Sequence, residues 1–209
     1  MTLRDSQLLT TLASHVRLLA FGQIADTWWP ATNAGRRHLR RRLRELCSRQ
    51  LLARLEVQAR PLLPLATPVA TWHPGQAPPE YGPLAWTLWK RWQTPPQRTV
   101  VYVARPQLTN RLGGVSTGTL HNLAAVSHDL HVAQLYVRLV KVEPELARLW
   151  VSEDVLAPTR VGQKLPDAVL QDSSGRPRLV LEFGGAYPPE RLAAFHEDCA
   201  QRRLPYEIW

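Results

Sequence analysis

Two carboxylates occupy comparable places in one stretch near the C-terminal end. Asp167 lies in Leu165-Pro166-Asp167-Ala168-Val169-Leu170, and Glu182 in Leu179-Val180-Leu181-Glu182-Phe183-Gly184-Gly185. Between them, Gln171-Asp172-Ser173-Ser174-Gly175-Arg176-Pro177 is a polar cluster with strong turn signals. The stretch therefore reads as two short strands of a hairpin. Such a hairpin can bring both acids to one end of a sheet, where their oxygens suit a hard divalent cation. The competing reading is a hairpin with ordinary edge carboxylates.

A second chemical set lies in the other half of the chain. Arg36, Arg37, Arg40, Arg41, Arg42, Arg44 and Arg49 crowd residues 36–50 and meet only Glu45 there. A solvated helix face usually mixes charge signs, whereas this one is almost wholly cationic. The planar fork of arginine suits phosphate oxygens and guanine edges. Arg36, Arg37, Arg40, Arg41 and Arg44 are the candidate DNA-binding residues, with duplex DNA as the expected partner and RNA as the alternative. Several phosphate contacts would make affinity fall steeply with salt.

The charge balance of the 209 residues is asymmetric. Net charge is +9, and residues 1–75 carry eleven arginines against four acids. The rest of the chain is close to neutral. Cys47 and Cys199 are far apart in sequence, which argues against a disulfide framework or zinc site and for a reducing, cytoplasmic setting. No run is long and apolar enough for a membrane span, and no membrane partner is expected.

The elements that must position these residues follow from periodicity. Residues 5–20 read as a helix, residues 21–29 as a second, and residues 36–50 as a third with Leu39, Leu43 and Leu46 on its apolar stripe. Residues 51–57 look like a strand and residues 68–72 like its return partner. Helix, helix, turn, basic helix and hairpin is the order of a winged helix-turn-helix, whose third helix enters the major groove.

Residues 73–83 are rich in Pro and Gly and mark a domain boundary. Residues 84–92 read as a short helix bearing Trp86, Trp89 and Trp92, for which packing is the expected use and base stacking the sharper alternative. Residues 99–103 read as a strand and 110–118 as a loop. Residues 119–142 form the longest helical candidate, containing His121, His128, Asp129 and His131. The three-residue spacing of His128 and His131 is a weak metal signal, so packing is expected of them. A strand over 147–153, the Asp167–Glu182 hairpin, a helix from 188 to 203 and a strand over 204–209 complete the chain.

Pro166-Asp167, fourteen intervening residues and Glu182-Phe183-Gly184, between a long helix and a shorter one, resemble the PD-(D/E)XK nuclease-like superfamily over roughly residues 119–209. Joined to an N-terminal winged helix, the whole resembles the replication-relaxation type of proteins found with plasmids and other mobile elements. The run His128-Asp129-Leu130-His131 before the sheet adds to that likeness.

The resemblance implies an α+β chain. It has a winged helix-turn-helix DNA-binding domain over 1–75, a Pro- and Trp-containing connector over 76–118 and an α/β nuclease-like domain over 119–209. It also implies that Asp167 and Glu182 are the catalytic, metal-binding acids holding Mg²⁺ or Mn²⁺, with Asp129 as a possible third ligand. Active members carry a lysine two residues after the second acid, and here that position is Gly184. Lys164 and Arg191 are the nearby cations that could replace it.

The favoured expectation is therefore a DNA-binding protein of a mobile element, acting in replication, relaxation or transcription control, whose nuclease-like domain does not cleave, with Mg²⁺ or Mn²⁺ as the cofactor only if the nuclease-like site is intact. The alternative is a Mg²⁺-dependent DNA endonuclease. A homodimer is left open, because many winged helices dimerise on DNA.

Overall fold

A computed structural model describes residues 1–115, 120, 125–160 and 164–209. In chain order the elements begin with α1 (Leu3–Thr10), continued by a π-wound turn (Thr11–His15), then β1 (Leu19–Ala20), α2 (Phe21–Trp28) and α3 (Asn33–Ser48). Next come β2 (Leu52–Ala59), β3 (Ala70–Trp72), α4 (Tyr81–Arg91), β4 (Gln97–Ala104) and α5 (Pro106–Leu112). They are followed by α6 (Val126–Val142), α7 (Pro144–Ala147), β5 (Trp150–Ser152) and α8 (Glu153–Leu156). The last elements are β6 (Ala168–Gln171), β7 (Pro177–Glu182), α9 (Pro189–Gln201) and β8 (Tyr206–Ile208). The class is α+β, with a three-stranded antiparallel sheet and a five-stranded mixed sheet. None of the described helices is long and apolar enough to cross a membrane.

The chain divides into two compact units, and each is built from two separate segments. The first joins Met1–Pro61 to Pro96–Val142, and the second joins Leu62–Pro95 to Glu143–Trp209. Successive blocks at 1–75, 76–118 and 119–209 are therefore not how the chain is partitioned. The expected connector is shared out, with α4 in the second unit and β4 and α5 in the first.

In the first unit, β4 lies between β1 and β2, and both pairings are antiparallel. The expected hairpin between residues 51–57 and 68–72 does not form. Instead β2 pairs with β4 along its whole length, from Leu52 opposite Ala104 to Ala59 opposite Gln97. The physical reason is the ladder each choice offers. β4 supplies eight residues with buried Val101 and Val103, and Glu56 on β2 meets Arg98 across the strands and Arg54 along its own. Pro61, Pro64 and Pro68 lack the N–H donors that a tight return would need.

α3 starts where the Thr32 side chain accepts the Gly35 N–H at 3.0 Å. It buries Leu39, Leu43 and Leu46, as its stripe requires, and packs against β2 and α2. α6 lies against α2, β1 and β2, so the longest of the described helices belongs to the first unit and not with the residues that follow it. Residue His121 and the start expected for this helix lie outside the described residues. Gln23 ties α2 to α6 by donating to the Leu130 carbonyl at 2.9 Å, and its own Oε1 accepts the Ala20 N–H.

Two further expectations shift. The first helix ends early, in the π-wound turn, which frees Leu19 and Ala20 to pair with β4. The loop expected from 110 begins only after α5, where Gly113 takes the left-handed conformation (φ 64°) that ends a helix most easily when there is no Cβ.

In the second unit the strand order is β3-β8-β7-β6-β5. β5, β6 and β7 form an antiparallel meander, β8 runs parallel to β7, and β3 closes the far edge antiparallel to β8. α4 and α9 pack together. Their Leu84, Leu88, Leu192 and Phe195 share one buried cluster with Val169, Val180, Tyr206 and Ile208 from the strands.

Candidate functional site

The hairpin of β6 and β7 forms as its sequence suggests, with Ala168 opposite Leu181 and the turn at Asp172-Gly175 held by Asp172. Asp167 immediately precedes β6 and Glu182 ends β7, so the pairing places the two acids side by side. Both are almost fully buried, at 8% and 4% exposure. The Asp167 N–H donates to Glu182 Oε2 at 3.2 Å, and the Phe183 N–H donates to Asp167 Oδ2 at 2.6 Å. Burial costs a carboxylate several kcal/mol unless donors meet its oxygens, and here backbone N–H groups do so.

A side-chain donor comes from a residue that the sequence did not flag. The Tyr187 hydroxyl donates to Glu182 Oε1 at 2.8 Å. Burial raises the Tyr187 pKa strongly and the Glu182 and Asp167 charges raise it further, so the phenol keeps its proton and its donor function. Arg191, on the first turn of α9, donates to the Tyr187 oxygen at 2.7 Å and lies over its ring with Cζ 3.7 Å from the centroid. Tyr187 stands five residues beyond Glu182 and just before Pro188-Pro189, which start α9. That closeness to the helix start was the available signal.

Of the two cations considered as lysine substitutes, Arg191 is linked to Glu182 through Tyr187, and Lys164 Nζ lies 3.5 Å from the Arg191 carbonyl oxygen. Position 184 itself is closed to a side chain. A Cβ built there would lie 2.7 and 2.8 Å from the two methyls of Leu88 and 3.1 Å from Ile208. Leu88 is fully buried on α4, so glycine at 184 lets the strand end and the helix approach.

A hard divalent cation takes 6–8 oxygens for Ca²⁺ and an octahedral set, often one or two carboxylates completed by waters, for Mg²⁺, and Asp167 and Glu182 are the two carboxylates brought together at these strand ends. Both Glu182 oxygens and one Asp167 oxygen already accept internal hydrogen bonds. Among the described residues no group of three or more His, Cys, Asp or Glu side chains converges to hold a metal. Asp129, the third ligand considered, lies on α6 in the first unit, where Arg17 pairs with it at 3.2 Å. His128 Nδ1 is 3.7 Å from the same Asp129 oxygen, and the wholly buried His131 contacts the Ser127 carbonyl at 2.6 Å.

The arginine set fares differently. Arg36, Arg37, Arg40, Arg41 and Arg44 are all exposed along α3, outside its buried leucine stripe. Arg36 pairs loosely with Asp26 at 3.3 Å, and Arg40 lies over the Phe21 ring at 5.1 Å. Arg37, Arg41 and Arg44 make no hydrogen bond, ion pair or ring contact among the described residues. Arg42 is the exception in the run. It donates from Nε and Nη2 to the two oxygens of buried Asp5, at 2.9 and 2.8 Å, and also pairs with Glu45.

Trp86, Trp89 and Trp92 divide as well. Trp92 is half-buried beside Phe183, with ring centroids 5.2 Å apart, whereas Trp86 and Trp89 are exposed and stack on each other rather than in a core. Comparison with protein-family models, curated proteins and solved structures returns no match to this chain.

Proposed function

We propose that this is a duplex-DNA-binding protein of the replication-relaxation kind, in which α3 enters the major groove and the second unit is nuclease-like but does not cut. The observation that carries the DNA reading is the exposed arginine row of α3 on a helix whose opposite face is anchored by Leu39, Leu43 and Leu46. A rigid helix presenting unpaired guanidinium groups can meet phosphates and base edges without first breaking internal ion pairs. Support for the winged-helix reading comes from the order helix, short strand, helix, basic helix, strand, strand, with the last strand lying between the other two. Its wing is the β2–β4 pair, and the chain between those strands runs through the second unit.

Support for the nuclease-like reading comes from an antiparallel meander, a helix and a strand parallel to the third of the meander, with the acids at adjoining strand ends. Two features weigh against cleavage. Leu88 occupies the space that a lysine at 184 would need, and internal donors hold the carboxylates.

The test is a fluorescence-anisotropy titration of labelled duplex DNA at several salt concentrations. Wild type is compared with Arg37→Ala/Arg41→Ala/Arg44→Ala. Each lost phosphate contact lowers the slope of log K against log salt by about 0.9, so the triple variant is expected to lose about 2.7. Equal affinity and slope for both proteins would sink the α3 assignment. In parallel, supercoiled plasmid with Mg²⁺ or Mn²⁺ is expected to stay intact. Nicking that Asp167→Ala and Glu182→Ala both abolish would replace this reading with the endonuclease one.

A further inference from the structure

α4 satisfies its packing without two of its largest side chains. Leu84, Ala85 and Leu88 are buried in the second unit's core, while Trp86 is 60% and Trp89 45% exposed. The two indoles stack on each other, with centroids 4.9 Å apart and planes at 24°. Leaving two indoles about half exposed forgoes roughly half of the 150–250 Å² that each can bury, the largest apolar payload a side chain offers. The self-stacked pair presents a broad aromatic surface to solvent.

The surroundings of the pair favour one kind of occupant. Lys90 is exposed, adjacent to Trp89 and one turn beyond Trp86, where side chains four apart share a helix face. From Tyr81 to Pro95 the segment contains Lys90 and Arg91 and no acid. The other exposed residues of α4 are Gly82, Pro83 and Thr87, so α4 itself supplies no aliphatic rim to the indoles. A stable protein interface buries about 800 Å² per partner around a packed apolar centre. Two stacked rings beside one cation instead match a planar base and its phosphate.

The geometry points to Trp86 and Trp89 as a stacking platform for unpaired bases of a single-stranded nucleic acid, with Lys90 meeting the adjacent phosphate. The residues are separate from the α3 arginines, so this site stands without the duplex reading. Together the two surfaces would let one chain hold a duplex and a melted strand.

The full chain is titrated with a fluorescein-labelled oligothymidylate of about 15 nucleotides, within the usual span of single-strand sites, and with a blunt duplex of similar length. Trp86→Ala/Trp89→Ala is expected to weaken single-strand binding at least about tenfold, the effect of losing one base–aromatic stack, while duplex affinity is unchanged. Because both side chains are about half exposed, the fold should survive the double substitution, read as an unchanged far-UV circular dichroism spectrum and a cooperative thermal transition. Trp86→Phe/Trp89→Phe should restore most of the binding, and Lys90→Gln should lower the single-strand salt slope by about 0.7.

The α3 triple variant separates the two readings, since it should lose duplex and keep single strand. Absence of single-strand binding by wild type, or unchanged binding by the double alanine variant, would overturn the platform. So would equal losses on both nucleic acids. If the double alanine variant instead turns a dimer into a monomer on size exclusion, with single-strand binding intact, a second copy is the occupant and the proposal fails.

Discussion

Asp5 gives the sharpest quantitative test of how the arginine helix is held. The residue is 1% exposed, and four donor contacts converge on it. The Thr2 N–H and hydroxyl reach Oδ2 at 2.6 and 2.8 Å, completing a capping box on α1, and Arg42 adds its two-pronged contact from α3. Burial alone would raise the Asp5 pKa. The Arg42 hydrogen bonds, the Thr2 donors and the Arg42 charge outweigh it and hold the carboxyl at about 2, against 3.8 for the free side chain.

That depression is worth on the order of 2 kcal/mol of folding free energy at neutral pH. Since the folded value lies below the unfolded one, the contribution is complete above the unfolded pKa and disappears as pH falls through the folded value. About half should remain near pH 3. Asp5→Asn removes the charge with little change in size. Urea denaturation of both proteins from pH 7 down to pH 2 should show a gap of about 2 kcal/mol at pH 7 that closes toward acid. A gap of constant size across that range would refute the idea that an ionised carboxylate locks α3 to α1.

Two further substitutions address the second unit. Gly184→Ala forces a methyl against Leu88 and Ile208 and should destabilise by about 1–3 kcal/mol, read as a lower thermal midpoint; an unchanged midpoint would show that the strand end is not tightly packed. Tyr187→Phe removes the donor to Glu182 Oε1 and should cost about 1–3 kcal/mol at pH 7 by chemical denaturation, whereas a neutral effect would mean that the hydroxyl does not support the buried acid.

The parts of this architecture that could be read from sequence were those written in local spacing. The leucine period of α3, the polar turn between β6 and β7 and the proline start of α9 each specify an element within a few residues of their cause. The exposure of Arg36, Arg37, Arg40, Arg41 and Arg44 followed from the same period, because three leucines fix which face is outside. Arg42 was not separable from them. It flanks Leu43 on the helix, and only the fold brings Asp5 to it from thirty-seven positions away.

Strand pairing was the main loss. Residues 68–72 and 97–104 are both plausible partners for β2, and choosing between them depends on ladder length and on β8, which lies at the other end of the chain. The Pro- and Gly-rich stretch at 73–83 looked like a boundary because loops and linkers share composition. In the fold it joins two elements of one unit. Leu88 could not announce that it fills the space beside position 184, since that contact joins residues ninety-six positions apart.

The interleaving of the units has a consequence for the order in which the molecule can be made. A nascent chain that has delivered α1, α2, α3 and β2 still lacks the strand that joins β1 to β2, because β4 lies beyond the whole of residues 62–95. Those intervening residues carry β3 and α4, whose own partners, β8 and α9, arrive last. The N-terminal arginine helix is therefore synthesised early and fixed late. Closing such long-range pairings is slow by nature, since the loop entropy is lost before the contacts form. No single cut yields an intact copy of either unit, and an N-terminal fragment ending at residue 75 would present the arginines on an unfinished sheet.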